Sequence, residues 1–220
     1  MTLWGRAEFV DRVDAGRRLA RHLARNHPDL RGPDLVVLGL PRGGVPVAAE
    51  VARAFDAPLD VIVVRKLGAP WQPELAVGAI GEGGFEVVDE ASLDRGSVTM
   101  AEVRAVADRE RLELARRIDR LRHGAPPANL TGTTALIVDD GVATGATALV
   151  ACQVARHLGA QRVVLAVPLA PVDFPEQPQW SDAADSIIVL ARPEPFHSVG
   201  THYDDFTATT DDEVAALLRT

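Results

Sequence analysis

The sequence predicts an α/β domain with a mainly parallel central sheet flanked by helices. Three observations lead there. Short apolar runs without polar alternation recur at residues 35–40, 59–64, 135–138, 162–167 and 186–190, the pattern of strands covered on both faces. Two of these runs pass through a glycine-bearing turn into a helical pattern and on to another run, which is a βαβ unit. The chain has 220 residues, 47% apolar and 25% charged, enough for one well-buried domain and unlike a disordered chain.

Taken in order, residues 6–26 read as a helix, with Phe9, Val10, Val13, Ala20, Leu23 and Ala24 at helical spacing. Arg17, Arg18, Arg21 and Arg25 form its solvated face, and Asn26 and Pro28 close it. Residues 35–40 form a buried strand that ends in Pro41-Arg42-Gly43-Gly44; residues 45–55 form a helix and 59–64 a second strand. Residues 67–98 hold Gly68, Pro70, Pro73, Gly78, Gly81, Gly83 and Gly84. A connection of that length is either functional or mobile, and 77–80 and 85–88 are the stretches in it able to pair as short strands. Residues 101–121 read as a charged helix with a narrow stripe of Val103, Val106, Leu114, Ile118 and Leu121. Such a helix either lies across the body or pairs with a second copy. A strand at 135–138, a polar turn at 139–147, a helix at 148–158 and strands at 162–167 and 186–190 complete the core. The expected organisation is a single domain, 1–220, with its core at about 30–170, a flexible loop at about 67–98, and a small hood from 171–220 joined by the N-terminus.

Charge and cysteine content exclude several classes of function. Thirty-one acids against 23 bases give a net charge of −8, which argues against nucleic acid or an anionic membrane as the partner. The single cysteine, Cys152, cannot form an internal disulfide or a CxxC zinc site and reads as a small buried apolar residue. No apolar run approaches the roughly 18 residues of a membrane span, and the first dozen residues lack a signal-peptide pattern. The expectation is a cytoplasmic protein.

The informative stretch is Asp139-Asp140-Gly141-Val142-Ala143-Thr144-Gly145-Ala146-Thr147. Two adjacent carboxylates stand at the carboxyl end of a buried strand, where open α/β sheets bind ligands. The turn after them offers Thr144, Gly145 and Thr147 and opens a helix, so backbone amides and two hydroxyls form a small anion cup. A phosphate with vicinal hydroxyls a few ångströms away is a ribose 5-phosphate, its hydroxyls donating to the carboxylates and its phosphate in the cup. The blander reading is a strand end and a helix cap, which would suit one Asp better than two. No lysine follows Gly145 as a GxxxxGK[ST] loop requires, and Gly81-Glu82-Gly83-Gly84 is no dinucleotide fingerprint.

Asp139 to Thr147 resembles the phosphoribosyl-pyrophosphate signature of type I phosphoribosyltransferases, in the Asp-Asp-x-x-Ala-Thr-Gly-x-Thr form known from adenine phosphoribosyltransferases. Gly141 departs from the pattern, whose third position is aliphatic, and is expected to alter turn packing rather than chemistry. Pro41-Arg42-Gly43-Gly44 falls where that family has its pyrophosphate loop, and Val64-Arg65-Lys66 where it has a basic pair before a mobile loop. The matches span residues 35–165, and the whole chain is most similar to an uncharacterised branch of predicted phosphoribosyltransferases.

The resemblance implies a type I phosphoribosyltransferase-like fold and transfer of phosphoribosyl from its pyrophosphate to a nitrogenous base, purine-like rather than pyrimidine, with release of pyrophosphate. It implies Mg²⁺ held mainly by substrate, with Asp139 and Asp140 as the protein ligands if it takes any. Arg42, Gly43 and Gly44 would grip the pyrophosphate around a non-proline cis peptide, and Arg65 and Lys66 would add positive charge. Residues 67–95 would close as a lid, with Glu74 the carboxylate toward the nucleophile. Val142, Ala143, Thr144, Gly145, Ala146 and Thr147 would complete the sugar-phosphate site. Ala143 stands where oxopurine-specific relatives have a carboxylate, which puts their proton-transfer mechanism in doubt here.

The stretch from Pro193 to Phe206 loosely resembles the late segment in which those relatives stack an aromatic on the base. Phe196 falls on that aromatic; a C-terminal apolar patch containing Phe196 and Tyr203 is an equal alternative. The relatives' base-recognising lysine has no counterpart near Pro168. His197 and His202 lack a neighbouring Cys or His cluster that would make them metal ligands. Relatives often form homodimers. The reading from another class is a non-catalytic regulator that binds phosphoribosyl pyrophosphate; the acidic net charge and the retained Arg42, Arg65 and Lys66 favour the enzyme.

Overall fold

The computed structural model describes residues 7–94, 98–175 and 178–219. The expected start of the first helix at Arg6 and the end of the lid at residues 95–97 lie outside them.

Five strands line up in one parallel sheet: β1 (Leu35–Gly39), β2 (Leu59–Val61), β6 (Thr134–Val138), β7 (Arg162–Leu169) and β8 (Ser186–Ala191). Their order across it is β2-β1-β6-β7-β8. The lack of alternation in their sequences has a direct cause, since both faces are covered. Leu35, Val37, Leu136, Val138, Val164 and Ala166 pack against α1 (Arg12–Asn26) and α2 (Gly44–Phe55). Their chain neighbours Val36, Leu38, Ala135, Ile137, Val163 and Leu165 pack against α5 (Ala146–His157). The period of two in a strand thus separates two cores rather than core from solvent.

In the long connection the two stretches able to pair, 77–80 and 85–88, do pair with each other, and a further strand precedes them. Residues 64–88 fold into an antiparallel sheet of β3 (Val64–Ala69), β4 (Gln72–Gly81) and β5 (Glu86–Val88), with Pro70 and Trp71 as the hairpin turn. The short helix α3 (Glu90–Asp94) follows. Leu67, Ala69, Val77 and Ile80 give this sheet a buried face. Two of the glycines read as loop markers serve close backbone approach. A Cβ on Gly68 would lie 2.2 Å from the Pro73 carbonyl oxygen, and one on Gly78 2.4 Å from that of Val87. The expected second strand, 59–64, is divided: β2 ends at Val61 and β3 starts the second sheet at Val64.

The junction between the sheets is held by a buried charge cluster. Arg122, the last residue of α4 (Met100–Arg122), donates to Asp60 Oδ1 at 2.9 Å, Glu82 Oε2 at 2.5 Å and the Val61 carbonyl at 2.9 Å. The amides of Val61, Val63 and Ala128 donate to the same two carboxylates. Val103, Val106, Leu114 and Leu121 of α4 are buried with Ile118 partly so, against the second sheet and α7 (Asp211–Leu217). The stripe therefore finds its partner inside the chain, as a helix lying across the body.

The first helix starts later than its spacing suggests. Asp11 caps it, its side chain accepting from the Asp14 amide at 2.7 Å. Phe9 and Val10 precede it, and Phe9 bonds instead to the C-terminal segment: its amide donates to His202 O, and its carbonyl accepts from the Asp204 amide. The N-terminus and the residues expected as a hood thus form one layer. Two elements within the range given to the hood belong to the main body instead. β8 is an edge strand of the main sheet, and the short helix α6 (Trp180–Ala183) packs on α5.

Candidate active site

β1, β2 and β6 are parallel neighbours, with Gly39 opposite both Val61 and Val138. The chain therefore leaves all three strands side by side at one sheet edge. That register brings together the stretches the sequence singled out.

Residues 41–44 leave β1 through a cis Pro41–Arg42 bond and pack directly on the paired carboxylates. A Cβ on Gly43 would lie 2.0 Å from Asp140 Oδ2, and one on Gly44 would lie 2.9 Å from Asp139 Oδ1. Only glycine allows this approach. Asp139 Oδ1 accepts from the Asp140 amide at 2.9 Å, and Asp140 Oδ2 from Arg12 Nε at 2.8 Å. Burial and the adjacent Asp140 push Asp139 well above the ordinary carboxylate range. Burial also raises Asp140, against the opposing pull of Arg12. Two neighbouring acids taken out of water resist a second negative charge.

The turn after the carboxylates has an aromatic floor and an open rim. Gly141 makes room for Val199, whose methyl would lie 2.7 Å from a Cβ there. Val142 is buried, and its amide donates to Leu169 O at 2.9 Å, so it anchors the turn. Gly145 caps α5 in the left-handed conformation at φ 75° with no side-chain cap bond. A Cβ there would lie 2.5 Å from the Phe174 ring and 2.8 Å from Trp180, which meet edge to face at a centroid distance of 5.2 Å. Ala143, Thr144, Ala146 and Thr147 are exposed on the opposite side, where first-turn amides of a helix have no intrahelical acceptor. Thr144 Oγ1 reaches the Ala146 amide at only 3.5 Å.

The basic residues are close by and partly engaged. Arg42 is exposed, 3.9 Å from Asp211 at the start of α7. Arg65 bonds Glu110 of α4 at 2.6 Å. Lys66 Nζ lies 3.3 Å from Glu74 Oε2, so the expected cation and the expected loop carboxylate neutralise one another across β3 and β4, with Glu74 almost fully exposed. A groove of about 470 Å³ between the second sheet and α5 is lined by Arg65 and Lys66 on one side and by Ala146 and Thr147 on the other. The larger concavity, about 640 Å³, lies beside Arg12 and Asp11 rather than over the carboxylates.

Phe196 is partly buried against the cluster of Phe9, Leu169 and Tyr203, one ring face stacked on His202 at 5.2 Å. It belongs to the C-terminal apolar patch, so a base would need its other face. Arg12 and Arg117 escaped the sequence reading, which took Tyr203 only as an aromatic ring of the C-terminal stretch and not as a hydrogen-bond donor. Arg12 binds Asp140, donates to Thr207 O at 2.7 Å and lies 3.9 Å over the Phe206 ring. Tyr203 donates its hydroxyl to Asp140 O at 2.6 Å. Arg117 of α4 lies close to Arg42 and Arg65. Each pairing spans dozens of residues, and no local spacing announces it.

Residues 8–189 match the family model for the phosphoribosyl transferase domain. Two Mycobacterium tuberculosis proteins, from strains H37Rv and CDC 1551, carry the provisional name phosphoribosyl transferase and are 53% identical over 210 residues. Those residues are 96% of this chain and 46% of each relative, so the chain spans about half the length of the curated relatives it matches. The crystal structure of TT1426 from Thermus thermophilus superposes with a TM-score of 0.82 at 42% identity, covering 96% of this chain and 97% of that one. No helix among the described residues is long and apolar enough to cross a membrane. The chain belongs to the phosphoribosyl transferase domain family.

Proposed function

We propose that this domain transfers phosphoribosyl from phosphoribosyl pyrophosphate to a nitrogenous base, purine-like rather than pyrimidine, and releases pyrophosphate. One observation carries the reading. Residues 41–44 pack on Asp139 and Asp140, which lead into the open amides before α5, with Arg65 and Lys66 sharing a groove with Thr147. Positive, negative and amide-lined surfaces thus lie near one another, as a ligand with pyrophosphate, ribose hydroxyls and a 5-phosphate needs.

The amides and hydroxyls of Thr144 to Thr147 hold the 5-phosphate. Asp139 and Asp140 accept from the ribose hydroxyls through the oxygens that Arg12 and the Asp140 amide leave over. Arg42 and the amides of Gly43 and Gly44 hold the pyrophosphate, with Arg65 and Lys66 adding charge that grows in value as the leaving group departs. The bond from C1 to the pyrophosphate oxygen breaks, leaving its electrons on pyrophosphate. A bond forms from the acceptor nitrogen to C1, and the proton of that nitrogen passes to a carboxylate such as Glu74 or to water. The ring carries positive charge between these events, and the carboxylates below it are the counter-charge. Two adjacent carboxylates are the hard oxygen donors that suit Mg²⁺, which keeps most of its shell for substrate phosphates and water. Asp139 and Asp140 would hold it; when bound, it neutralises phosphate charge. We place the domain in the cytoplasm and expect it to act as a homodimer.

Calorimetry with phosphoribosyl pyrophosphate and Mg²⁺ tests donor binding, and pyrophosphate release across a panel of bases tests transfer. Asp140→Asn should weaken the donor tenfold or more. Unchanged affinity in that variant overturns the site, and tight binding without release for any base makes the domain a sensor of the donor instead.

A further inference from the structure

Arg42 and Arg65 belong to the pyrophosphate end of the site on the reading above, on which this inference rests. Arg42 follows β1 of the main sheet, Arg65 lies in β3 of the second sheet, and α4 passes beside both. Glu110 of α4 binds Arg65 at 2.6 Å, and Arg120 of α4 shares Asp211 with Arg42 at 3.1 and 3.9 Å. Arg117 stands between, seven residues after Glu110 and three before Arg120, on the stripe of the buried Leu114 and Leu121. Seven residues are two helical turns, so Glu110 and Arg117 share one face.

The guanidinium of Arg117 is half-buried and has no hydrogen bond or ion pair among the described residues. Burial, with the positive charge of Arg42 and Arg65 against the single attraction of Asp211, holds it below the usual guanidinium range. Five arginines, Arg42, Arg65, Arg109, Arg117 and Arg120, here face Glu110 and Asp211, in a chain whose overall charge is −8. Partly desolvated like charges repel unless an anion joins them, and a planar fork of donors is suited to phosphate oxygens.

We propose that Arg117 is a third phosphate-binding arginine, reaching the pyrophosphate from α4 and making the site select a diphosphate-bearing sugar over ribose 5-phosphate. Its side chain completes a clamp with Arg42 and Arg65 around the terminal phosphate. The carboxylates and the amide cup, which hold the rest of the donor, do not depend on it.

The test compares the full chain with Arg117→Gln and Arg117→Lys, titrated by calorimetry with inorganic pyrophosphate and, separately, with ribose 5-phosphate, both with Mg²⁺. Arg117→Gln should lose tenfold or more in pyrophosphate affinity, Arg117→Lys should recover part of it, and ribose 5-phosphate should bind all three proteins alike. Thermal unfolding of Arg117→Gln should occur at the same or a higher temperature, because a crowded cation has been removed. Pyrophosphate affinity within twofold of the unsubstituted protein overturns the inference, as does an equal loss for both ligands, which would mark a structural role. If the unsubstituted protein binds ribose 5-phosphate but not pyrophosphate, the clamp is wrong while the sugar site stands. If it binds neither, the proposed function fails and the clamp with it.

Discussion

Replacing Arg12 by alanine tests whether the N-terminal helix is part of the site's electrostatics or only packed near it. Arg12 and Asp140 form a 2.8 Å ion pair with side chains 11% and 14% exposed. Removing one partner of a buried pair costs about 3–5 kcal/mol, mostly from the stranded charge; the slight exposure here favours about 3 kcal/mol. The bond to Thr207 O and the contact over Phe206 add about 1 kcal/mol each. Arg12→Ala should therefore lose roughly 4–5 kcal/mol in urea unfolding at neutral pH, a large share of the ~5–15 kcal/mol typical of a domain. Adding Asp140→Asn should recover about 2 kcal/mol, since the stranded charge is gone while the Thr207 and Phe206 contacts remain lost. The pH dependence has a definite sign. Without Arg12, burial still raises Asp140 in the fold, so the penalty is full above the folded pKa. It disappears as pH falls toward the unfolded value near 3.9. Additivity of the two substitutions within about 0.5 kcal/mol would refute the reasoning.

Two further expectations concern stability and reactivity. Arg122→Met should destabilise by about 3–5 kcal/mol, because Asp60 and Glu82 would be left buried around an apolar side chain; urea unfolding checks this, and a loss under 1 kcal/mol would mean that the junction relaxes. Burial pushes the Cys152 thiol up to about 12, so at pH 8 only about one thiol in ten thousand is ionised. Iodoacetamide should leave the native chain unlabelled and modify one thiol after unfolding, and fast native labelling would contradict the packing around α5.

The parallel core was legible because each strand is covered twice: Ala135-Leu136-Ile137-Val138 feeds two hydrophobic layers, so the run carries no polar interruption and can only be a central strand. The signature was legible for a related reason, since a strand end, two carboxylates, a turn and a helix start all lie within nine residues. The second sheet was harder to read. Its glycines look like loop punctuation, yet Gly68 and Gly78 are there because Pro73 and Val87 backbone atoms come close, a condition set by pairing and not by neighbours in the chain. The start of α1 was misread for a similar reason. Phe9 fits the helical spacing but is buried against Tyr203, a partner 194 positions away.

Net charge was the weakest guide to the site itself. A total of −8 argues against a polyanionic partner as large as nucleic acid, but the folded chain sets Arg12 against the two acids it raises by burial and brings Arg42, Arg65 and Arg117 near one another. Apart from the Arg12–Asp140 and Arg65–Glu110 pairs, neither set of charges is placed for stability. Adjacent buried carboxylates oppose folding, and so do arginines crowded without enough acids between them. Each arrangement becomes favourable only when a ligand supplies hydroxyl donors to the first and phosphate oxygens to the second. On the proposed function, a sugar bearing a diphosphate is the ligand that supplies both kinds of group.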